Sequence, residues 1–237
     1  MIREFSENPF IFLDNVAYEF SDGIKINIDH AEIKHGDRIL ISGPSGCGKS
    51  TVLGMLSLSL KPTKGRNFYF EQNDILKLWN NYRRDQLAHL RSAYFGFVPQ
   101  TAGLIPFITV KENITLPLSI IGKKNKIWFD QLITFLEIGP ILSKKPCQVS
   151  VGQRQRVAVA RALINRPMIV LADEPTASVH PTLADEILHL LVETVTEAGS
   201  VLIMTSHDVK RALQYGLKEM ACNIDNKTKI TRLRIHA

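Results

Sequence analysis

Long apolar runs are missing from this sequence, and their absence limits what the chain can be. A helix that crosses a bilayer needs about 20 consecutive apolar residues. The longest runs here, at residues 168–172 and 201–205, have the length of a β-strand. The first residues, MIREFSENPF, also lack the apolar segment of a signal peptide. We therefore expect the chain to stay in the compartment in which it is made.

Cysteine is scarce, with three residues at Cys47, Cys147 and Cys222. They are scattered and odd in number, and no CxxC pair or Cys/His cluster suggests a metal site. Such sparse cysteine is typical of proteins of the reducing cytoplasm.

Acidic residues are outnumbered, 23 against 29 lysines and arginines, which gives a net charge of +6. This excess suits nucleic acid, an anionic membrane surface or a polyanionic nucleotide, and charge alone does not choose among them. The basic residues are dispersed along the chain. Hydrophobic residues make up 45% of the sequence, which is typical of a globular protein.

Short apolar segments alternate with helical patterns, which predicts an α/β fold with a largely parallel sheet. The predicted strands cover residues 38–42, 94–98, 168–172 and 201–205. The predicted helices are 51–60 and 181–198, the second with Leu183, Ile187, Leu190 and Leu191 on one face. Residues 11–34 alternate apolar and polar positions, which predicts an antiparallel sheet laid beside the main one.

The middle of the chain is mostly helical in pattern, and no Ser/Gly/Pro-rich linker marks a domain boundary. Its clearest helical pieces are residues 87–91, 110–119 and 127–138. We predict a single domain over residues 1–237. In this division residues 1–75 and 166–237 form the α/β core with its β subdomain, and residues 76–165 form a helical insertion.

Residues 43–51, GPSGCGKST, match the phosphate-binding pattern G-x-x-x-x-G-K-[ST] between a predicted strand and a predicted helix. The three glycines allow backbone conformations that turn successive N–H groups inward around an anion. The helix that follows directs its positive end at the phosphates. Lys49 is expected to reach the β- and γ-phosphates, and the Ser50 hydroxyl to ligate Mg²⁺. The predicted nucleotide contacts of the loop are Gly43, Pro44, Ser45, Gly46, Cys47, Gly48, Lys49, Ser50 and Thr51.

Two acids and a histidine follow the next predicted strands. Ligands of an open parallel sheet bind at the carboxyl ends of its strands, which places Asp173 near Mg²⁺, through water. Glu174 is the natural general base, accepting a proton from the attacking water or orienting it. His207 is expected to bind the γ-phosphate or to hold the water with Glu174. A solvated acidic turn would explain the acids alone, but their pairing with the phosphate loop favours hydrolysis.

The order of these motifs resembles the ABC ATPase family over nearly the whole chain. Gln100, in the segment FVPQ, resembles the family's glutamine that contacts Mg²⁺ and the attacking water and whose loop senses a transmembrane partner. The resemblance implies ATP and Mg²⁺ as ligands. It also implies a P-loop NTPase (RecA-like) core with an antiparallel β subdomain and an inserted helical subdomain.

Residues 149–157, VSVGQRQRV, resemble the family's signature, usually LSGGQ followed by Q-x-R-V. Ser150 stands where a helix N-cap is expected. The resemblance implies that Ser150 and Gly152, together with Gln153, bind the ATP held by another subunit. It therefore implies a dimer with a second ATPase domain, identical or different.

Phe20 resembles the aromatic residue that stacks on adenine in this family. Tyr18 is the alternative, and the other interpretation is that both are inward-facing strand aromatics. Two positions depart from the family. Val151 replaces the first signature glycine, which suits an ordinary first helical turn and not a positive φ. Residues 177–180, ASVH, stand where the family usually has S/G-A-L-D. Both departures fall on the half-site that serves the partner's ATP, so we expect slower or less tightly coupled turnover with ATP binding kept.

Residues 102–118, AGLIPFITVKENITLPL, resemble the lipoprotein-release and macrolide-export group (LolD and MacB types, with FtsE nearby). The resemblance implies an ATPase that energises a separate transmembrane permease subunit at the cytoplasmic face of the inner membrane, with no direct nucleic acid contact. The alternatives are a soluble ABC ATPase that acts on nucleic acid or ribosomes, and a low-activity regulatory ABC subunit.

Overall fold

The computed structural model describes residues 9–177, 179–225 and 230–235. The strands are β1 (Ile11–Glu19), β2 (Lys25–Ile33), β3 (Arg38–Ser42), β4 (Asn67–Phe70), β5 (Asn73–Asp74), β6 (Phe95–Val98), β7 (Ile169–Asp173), β8 (Val201–Thr205), β9 (Lys218–Asp225) and β10 (Ile230–Ile235). The helices are α1 (Lys49–Leu56), α2 (Ile75–Asn80), α3 (Arg84–Tyr94), α4 (Val110–Ile120), α5 (Lys126–Phe135), α6 (Val151–Leu163), α7 (Pro181–Glu197) and α8 (Val209–Gln214).

The strands form one sheet of ten strands in the order β5-β4-β1-β2-β10-β9-β3-β8-β7-β6. Strands β3, β8, β7 and β6 pair in parallel, and β1 pairs antiparallel with β2 and β4. The predicted antiparallel pairing within residues 11–34 is confirmed, but these strands belong to the same sheet as the parallel ones and not to a second sheet beside it. Strand β10 pairs with β2 on one side, and β9 pairs with β3 on the other, so the two parts are continuous.

The parallel strands lie in the interior because both of their faces are covered. Every residue of β8 is buried, as are the first four residues of β7. Such strands consist of continuous apolar runs without alternation, which is why these segments were recognisable in the sequence. Their burial leaves the carboxyl ends as the places where polar side chains emerge.

Local conformation explains where the observed elements differ from the predicted ones. The helix predicted at 51–60 begins at Lys49, directly after the left-handed Gly48, and ends at Leu56, before Leu58 with φ 58°. The strand predicted at 94–98 begins at Phe95 because Tyr94 ends α3. On α7 the buried face includes Ile187 and Leu191, as predicted, but Leu183 and Leu190 are only half-buried.

The middle of the chain packs α4, α5 and α6 around a shared apolar core. Trp128 of α5 is buried there, and its indole N–H donates to the carbonyl oxygen of Leu163 at 2.8 Å. The range 76–165 also contains β6, which belongs to the parallel sheet. The division of the chain into core and helical insertion stays a prediction. No helix within the described residues has the length and apolar character to span a membrane.

Candidate nucleotide site

The loop between β3 and α1 has the backbone that an anion cradle needs. Gly43, Gly46 and Gly48 have φ values of 145°, 78° and 98°, which is the region that side chains resist. At Gly48 a Cβ would also lie 2.0 Å from Cδ1 of Ile26. Glycine is therefore required at position 48 for two reasons: the backbone has a positive φ, and a Cβ would clash with Ile26.

The Lys49 side chain lies inside this loop and is only 6% exposed. Its Nζ donates to the carbonyl oxygens of Gly43 and Pro44 at 3.0 and 3.2 Å. It lies 3.8 Å from Oε1 of Glu174. A buried ammonium held by backbone oxygens is a strong attractor for a polyanion.

Cys47 belongs to the loop by sequence but faces away from solvent. It is buried, and its sulfur lies against Cys222 of β9 beneath Gly43. Burial, with Cys47 beside it, raises the pKa of the Cys222 thiol above its usual range. Within this loop the side chain of Cys47 therefore serves packing, and its backbone is what can face a phosphate.

The two acids meet the loop at the carboxyl end of β7, beside Thr205 at the end of β8. The Ser50 hydroxyl oxygen lies 3.1 Å from Oδ2 of Asp173. The Thr205 hydroxyl donates to Oδ1 of Asp173 at 2.7 Å and accepts the Glu174 backbone N–H at 2.8 Å. Sequence reasoning missed Thr205, because a threonine that ends an apolar strand carries no local signal of this contact.

Glu174 and His207 form a direct pair. The Oε1 of Glu174 and the Nε2 of His207 are 2.7 Å apart. The carboxylate is 17% exposed and the imidazole 49% exposed, so the pair lies at the mouth of the site. Glu174 has φ 44°, a left-handed conformation that is uncommon for a residue with a side chain. The pair can hold a water molecule and accept its proton.

A cavity of about 390 Å³ extends from this cluster along the outer face of the loop. Its lining includes Lys49 and Glu174 at one end and Phe20 at the other. Phe20 is 38% exposed, whereas Tyr18 packs against it edge-on at 4.9 Å and lies on the core side. The geometry therefore places Phe20, and not Tyr18, where a planar base could stack.

The residues of this cluster also suit Mg²⁺. Mg²⁺ prefers oxygen ligands and takes several of them from phosphates and water. The Ser50 hydroxyl and the Asp173 carboxylate supply two such oxygens side by side. Gln100 lies in the exposed turn that follows β6, the neighbour of β7 in the sheet.

The turn that carries Gln100 is held by Arg161, a second residue that sequence reasoning missed. Two guanidinium nitrogens of Arg161 donate to the carbonyl oxygens of Ala102 and Gly103, each at 2.8 Å. Burial lowers the pKa of Arg161. Because Arg161 belongs to α6, it links the Gln100 turn to the helix that begins at the signature segment.

The signature segment itself lies apart from the cavity lining. The Ser150 hydroxyl accepts the Gln153 backbone N–H at 3.2 Å, and Gln153 Oε1 accepts the Ser150 N–H at 3.0 Å. This reciprocal pair is a capping box. Gly152 is buried, and a Cβ there would lie 2.9 Å from Leu183. Val151 is the first residue of α6, so its backbone is helical and needs no positive φ. Its side chain is 46% exposed.

The comparisons with known proteins agree with this geometry. The family model described as "ABC transporter" matches residues 26–177. A lipoprotein-releasing system ATP-binding protein LolD of Idiomarina loihiensis is 37% identical over 200 residues, covering 83% of this chain and 85% of the relative. A macrolide export ATP-binding/permease protein MacB of Marinobacter nauticus is 35% identical over 86% of this chain, which spans 32% of that longer protein.

Solved structures have the same fold. A dimeric post-hydrolysis state of the ATP-binding cassette MJ0796 bound to ADP and Pi has a TM-score of 0.77 and 31% identity, covering 95% of this chain and 98% of that one. CbiO1 of Clostridium perfringens, part of the ABC transporter complex CbiONQ, has a TM-score of 0.79 and 26% identity, with 97% and 88% covered.

Proposed function

Since this chain belongs to the ABC transporter family as an ATP-binding subunit that hydrolyses ATP, we propose that it works as one half of an ATPase dimer. The dimer binds ATP with Mg²⁺ between its halves and drives a separate transmembrane permease subunit. The observation that carries this proposal is a cluster of charged groups at the phosphate loop. Glu174 lies 3.8 Å from Lys49 and 2.7 Å from His207, and the Ser50 hydroxyl lies 3.1 Å from Asp173.

The chemistry follows from this cluster. The loop N–H groups and Lys49 bind the β- and γ-phosphates and attract the negative charge that the reaction spreads over them. Glu174 accepts the proton of the attacking water, while His207 holds Glu174 and the water in line. Ser50 and Asp173 would hold Mg²⁺, and the bound ion would neutralise negative charge on the phosphates. Gln100 is proposed to contact the ion and the attacking water from its turn. Phe20 stacks on the base.

The dimer is proposed because Ser150 and Val151, at the signature end of α6, are exposed and the signature segment does not line the nucleotide cavity of its own chain. The Ser150 hydroxyl accepts a hydrogen bond within its capping box, so its own proton stays available for a phosphate oxygen. Gly152 and Gln153 lie in the first turn, where the helix dipole favours an anion. The cassette MJ0796 is a dimer in its solved structures, which supports the same arrangement here.

A groove beside the nucleotide site suits the permease. It has a volume of about 430 Å³ and lies between α1 and β6. Arg91 and the half-exposed Phe97 line it, and Ser50 and Asp173 form one end. A helix of a membrane partner docked there would contact the Mg²⁺ ligands directly. We place the chain at the cytoplasmic face of the inner membrane as part of this proposal. The similarity to LolD and to the ATP-binding/permease protein MacB supports an association with a membrane protein.

The two departures from the family belong to this proposal as well. Val151 presents an exposed β-branched side chain beside Ser150, where the family has a glycine. His180 stands at the N-cap of α7 without a side-chain capping bond, and Ser178 of the same segment lies outside the described residues. We expect both to slow turnover. Normal hydrolysis that Val151→Gly and His180→Asp leave unchanged would refute this part.

The experiment is steady-state MgATP hydrolysis by the purified chain, alone and with its genomic-neighbour membrane subunit. We expect low activity alone and higher activity with the membrane subunit. ATP binding without hydrolysis under every pairing would contradict the proposal and favour a nucleotide-gated regulatory subunit. Salt-dependent copurification with nucleic acid, without stimulation by a membrane subunit, would instead favour the soluble alternative.

A further inference from the structure

A single buried hydroxyl connects the two acids of the site. Thr205 is fully buried at the end of β8. Its Oγ1 is 2.7 Å from Oδ1 of Asp173 and 2.8 Å from the backbone nitrogen of Glu174. Neither the phosphate loop nor the signature segment includes this residue.

The sheet register explains why Thr205 reaches both acids. Thr205 pairs with Asp173 across the parallel strands β8 and β7. Residues paired in this way point to the same face of a sheet. The hydroxyl therefore lies beside the carboxylate, and the next peptide of β7, which carries the Glu174 N–H, comes within its reach.

The direction of the two hydrogen bonds is determined by chemistry. A hydroxyl has one proton and two lone pairs, and an ionised carboxylate can only accept. The Thr205 proton therefore goes to Asp173, and a lone pair accepts the Glu174 N–H. Bonds to an ionised acceptor are about twice as strong as neutral ones. The bond uses Oδ1 of Asp173, and the Ser50 hydroxyl lies nearer to Oδ2, at 3.1 Å, than to Oδ1, at 3.4 Å.

The second bond acts on a strained residue. Glu174 has φ 44°, and a left-handed conformation at a residue with a side chain persists only when its surroundings enforce it. The hydrogen bond from its N–H to Thr205 is one such restraint. With this backbone, the Glu174 carboxylate lies 2.7 Å from His207.

We propose that Thr205 is a positioning residue for ATP hydrolysis. It turns one oxygen of Asp173 toward Ser50, where Mg²⁺ is held, and it fixes the backbone that presents Glu174 to the attacking water. The proposal rests on the function proposed above. In this proposal the Thr205 hydroxyl sets the orientation of Asp173, the metal ligand, relative to Glu174, the general base.

The test compares Thr205→Val, which keeps the shape and removes the hydroxyl, with Thr205→Ser, which keeps the hydroxyl. The control is Thr194→Val. Thr194 is also buried, but its hydroxyl donates to the carbonyl oxygen of Leu190 within α7. We expect Thr205→Val to lower kcat about 10- to 100-fold with little change in KM for ATP, as losses of partners that orient metal ligands do. Thr205→Ser recovers most of kcat, and Thr194→Val keeps kcat.

A second readout does not depend on turnover. Binding of a fluorescent ATP analogue is titrated with Mg²⁺ in proteins that also carry Glu174→Gln. We expect Thr205→Val to raise the Mg²⁺ concentration for half-maximal binding about tenfold, with binding in EDTA unchanged. Thr205→Ser and Thr194→Val leave the midpoint near that of the Glu174→Gln protein.

Two results would overturn the proposal. One is a Thr205→Val protein with unchanged kcat and an unchanged Mg²⁺ midpoint. The other is a loss of activity that follows the melting temperature equally in Thr205→Val and Thr194→Val, because the hydroxyl would then serve stability alone. Absence of hydrolysis by the unmodified protein would contradict the proposed function instead, and the Mg²⁺ titration would still judge Thr205.

Discussion

The phosphate-loop end of the molecule and the signature end of α6 differ in how many of the proposed functional groups they bring together. At the phosphate-loop end, Glu174 lies beside Lys49. Thr205 hydrogen-bonds both to Asp173 and to the backbone N–H of Glu174, so groups from three strand ends meet there. At the signature end, Ser150 and Gln153 contact each other, and their helix end is exposed. Under the proposed function, the hydrolytic groups therefore lie together within one chain, whereas the phosphate contacts of the signature would need a nucleotide bound by another chain.

The two ends are also stabilised differently. The phosphate loop is held by buried groups, such as Gly48 against Ile26 and Lys49 against loop carbonyls. The signature end is held mostly by contacts between near neighbours: the exposed capping box and Arg154, which donates to the carbonyl oxygen of Val149 at 2.7 Å. Gly152 also lies close to Leu183 of α7. A helix end of this kind can approach another chain as a unit.

Glu174→Gln tests whether the phosphate-loop end supplies the general base for hydrolysis. We expect kcat to fall by at least about 100-fold, because the amide cannot accept the proton of the attacking water. ATP binding is kept, since Lys49 and the loop are unchanged. Phosphate release and equilibrium nucleotide binding measure the two effects. The exposed Glu193 on α7 provides the control Glu193→Gln, which we expect to be fully active.

Mixing two variants tests whether the signature end serves another chain. Lys49→Ala removes the loop cation, and Ser150→Ala removes the signature hydroxyl at a cost of about 1 kcal/mol to the helix cap. A mixed dimer would contain one intact composite site. We expect the mixture to hydrolyse ATP faster than the average of the separate proteins. Activity equal to that average would contradict the shared site.

Arg161→Lys tests the link between the two ends. Lysine keeps the charge but cannot form the fork that binds the carbonyl oxygens of Ala102 and Gly103. We expect kcat to fall by about 3- to 10-fold, because the turn that carries Gln100 loses its anchor and orienting contacts of this kind are worth about that much or more. Arg156→Lys on the same helix is the matched control, since Arg156 binds Leu136 and Glu137 instead.

Besides its proposed effect on turnover, His180→Asp is expected to change stability, and this change is the smallest effect considered. The N-cap of α7 lacks a side-chain capping bond, and aspartate there accepts a backbone N–H of the first turn. We expect the free energy of unfolding to increase by about 0.5–2 kcal/mol. Thermal and urea unfolding measure it, and Thr182→Ala controls for the contact of His180 with Thr182. An unchanged or lower stability would mean that the backbone at this N-cap does not admit the bond.

The sequence predicted the parts of the molecule that depend on near neighbours. Strands at residues 38–42 and 201–205 have the predicted bounds because they are short apolar runs between polar residues. The phosphate loop could be identified because its glycines and Lys49 act within nine residues. The family resemblance, with LolD and MacB as relatives, also came from such contiguous motifs.

Which of these segments lie next to one another depends on tertiary packing. Thr205 lies 32 positions from Asp173, and Arg161 lies 59 from Ala102. No local pattern encodes either contact, because strand register and helix packing follow from the burial of the whole core. The continuity of the sheet through β9 and β10 has the same origin. The proposed reactive groups, and the strand end, loop or helix that carries each of them, could thus be predicted from local sequence motifs. The contacts that orient these groups, such as that of Thr205 with Asp173, depend on packing between residues that are far apart in the sequence.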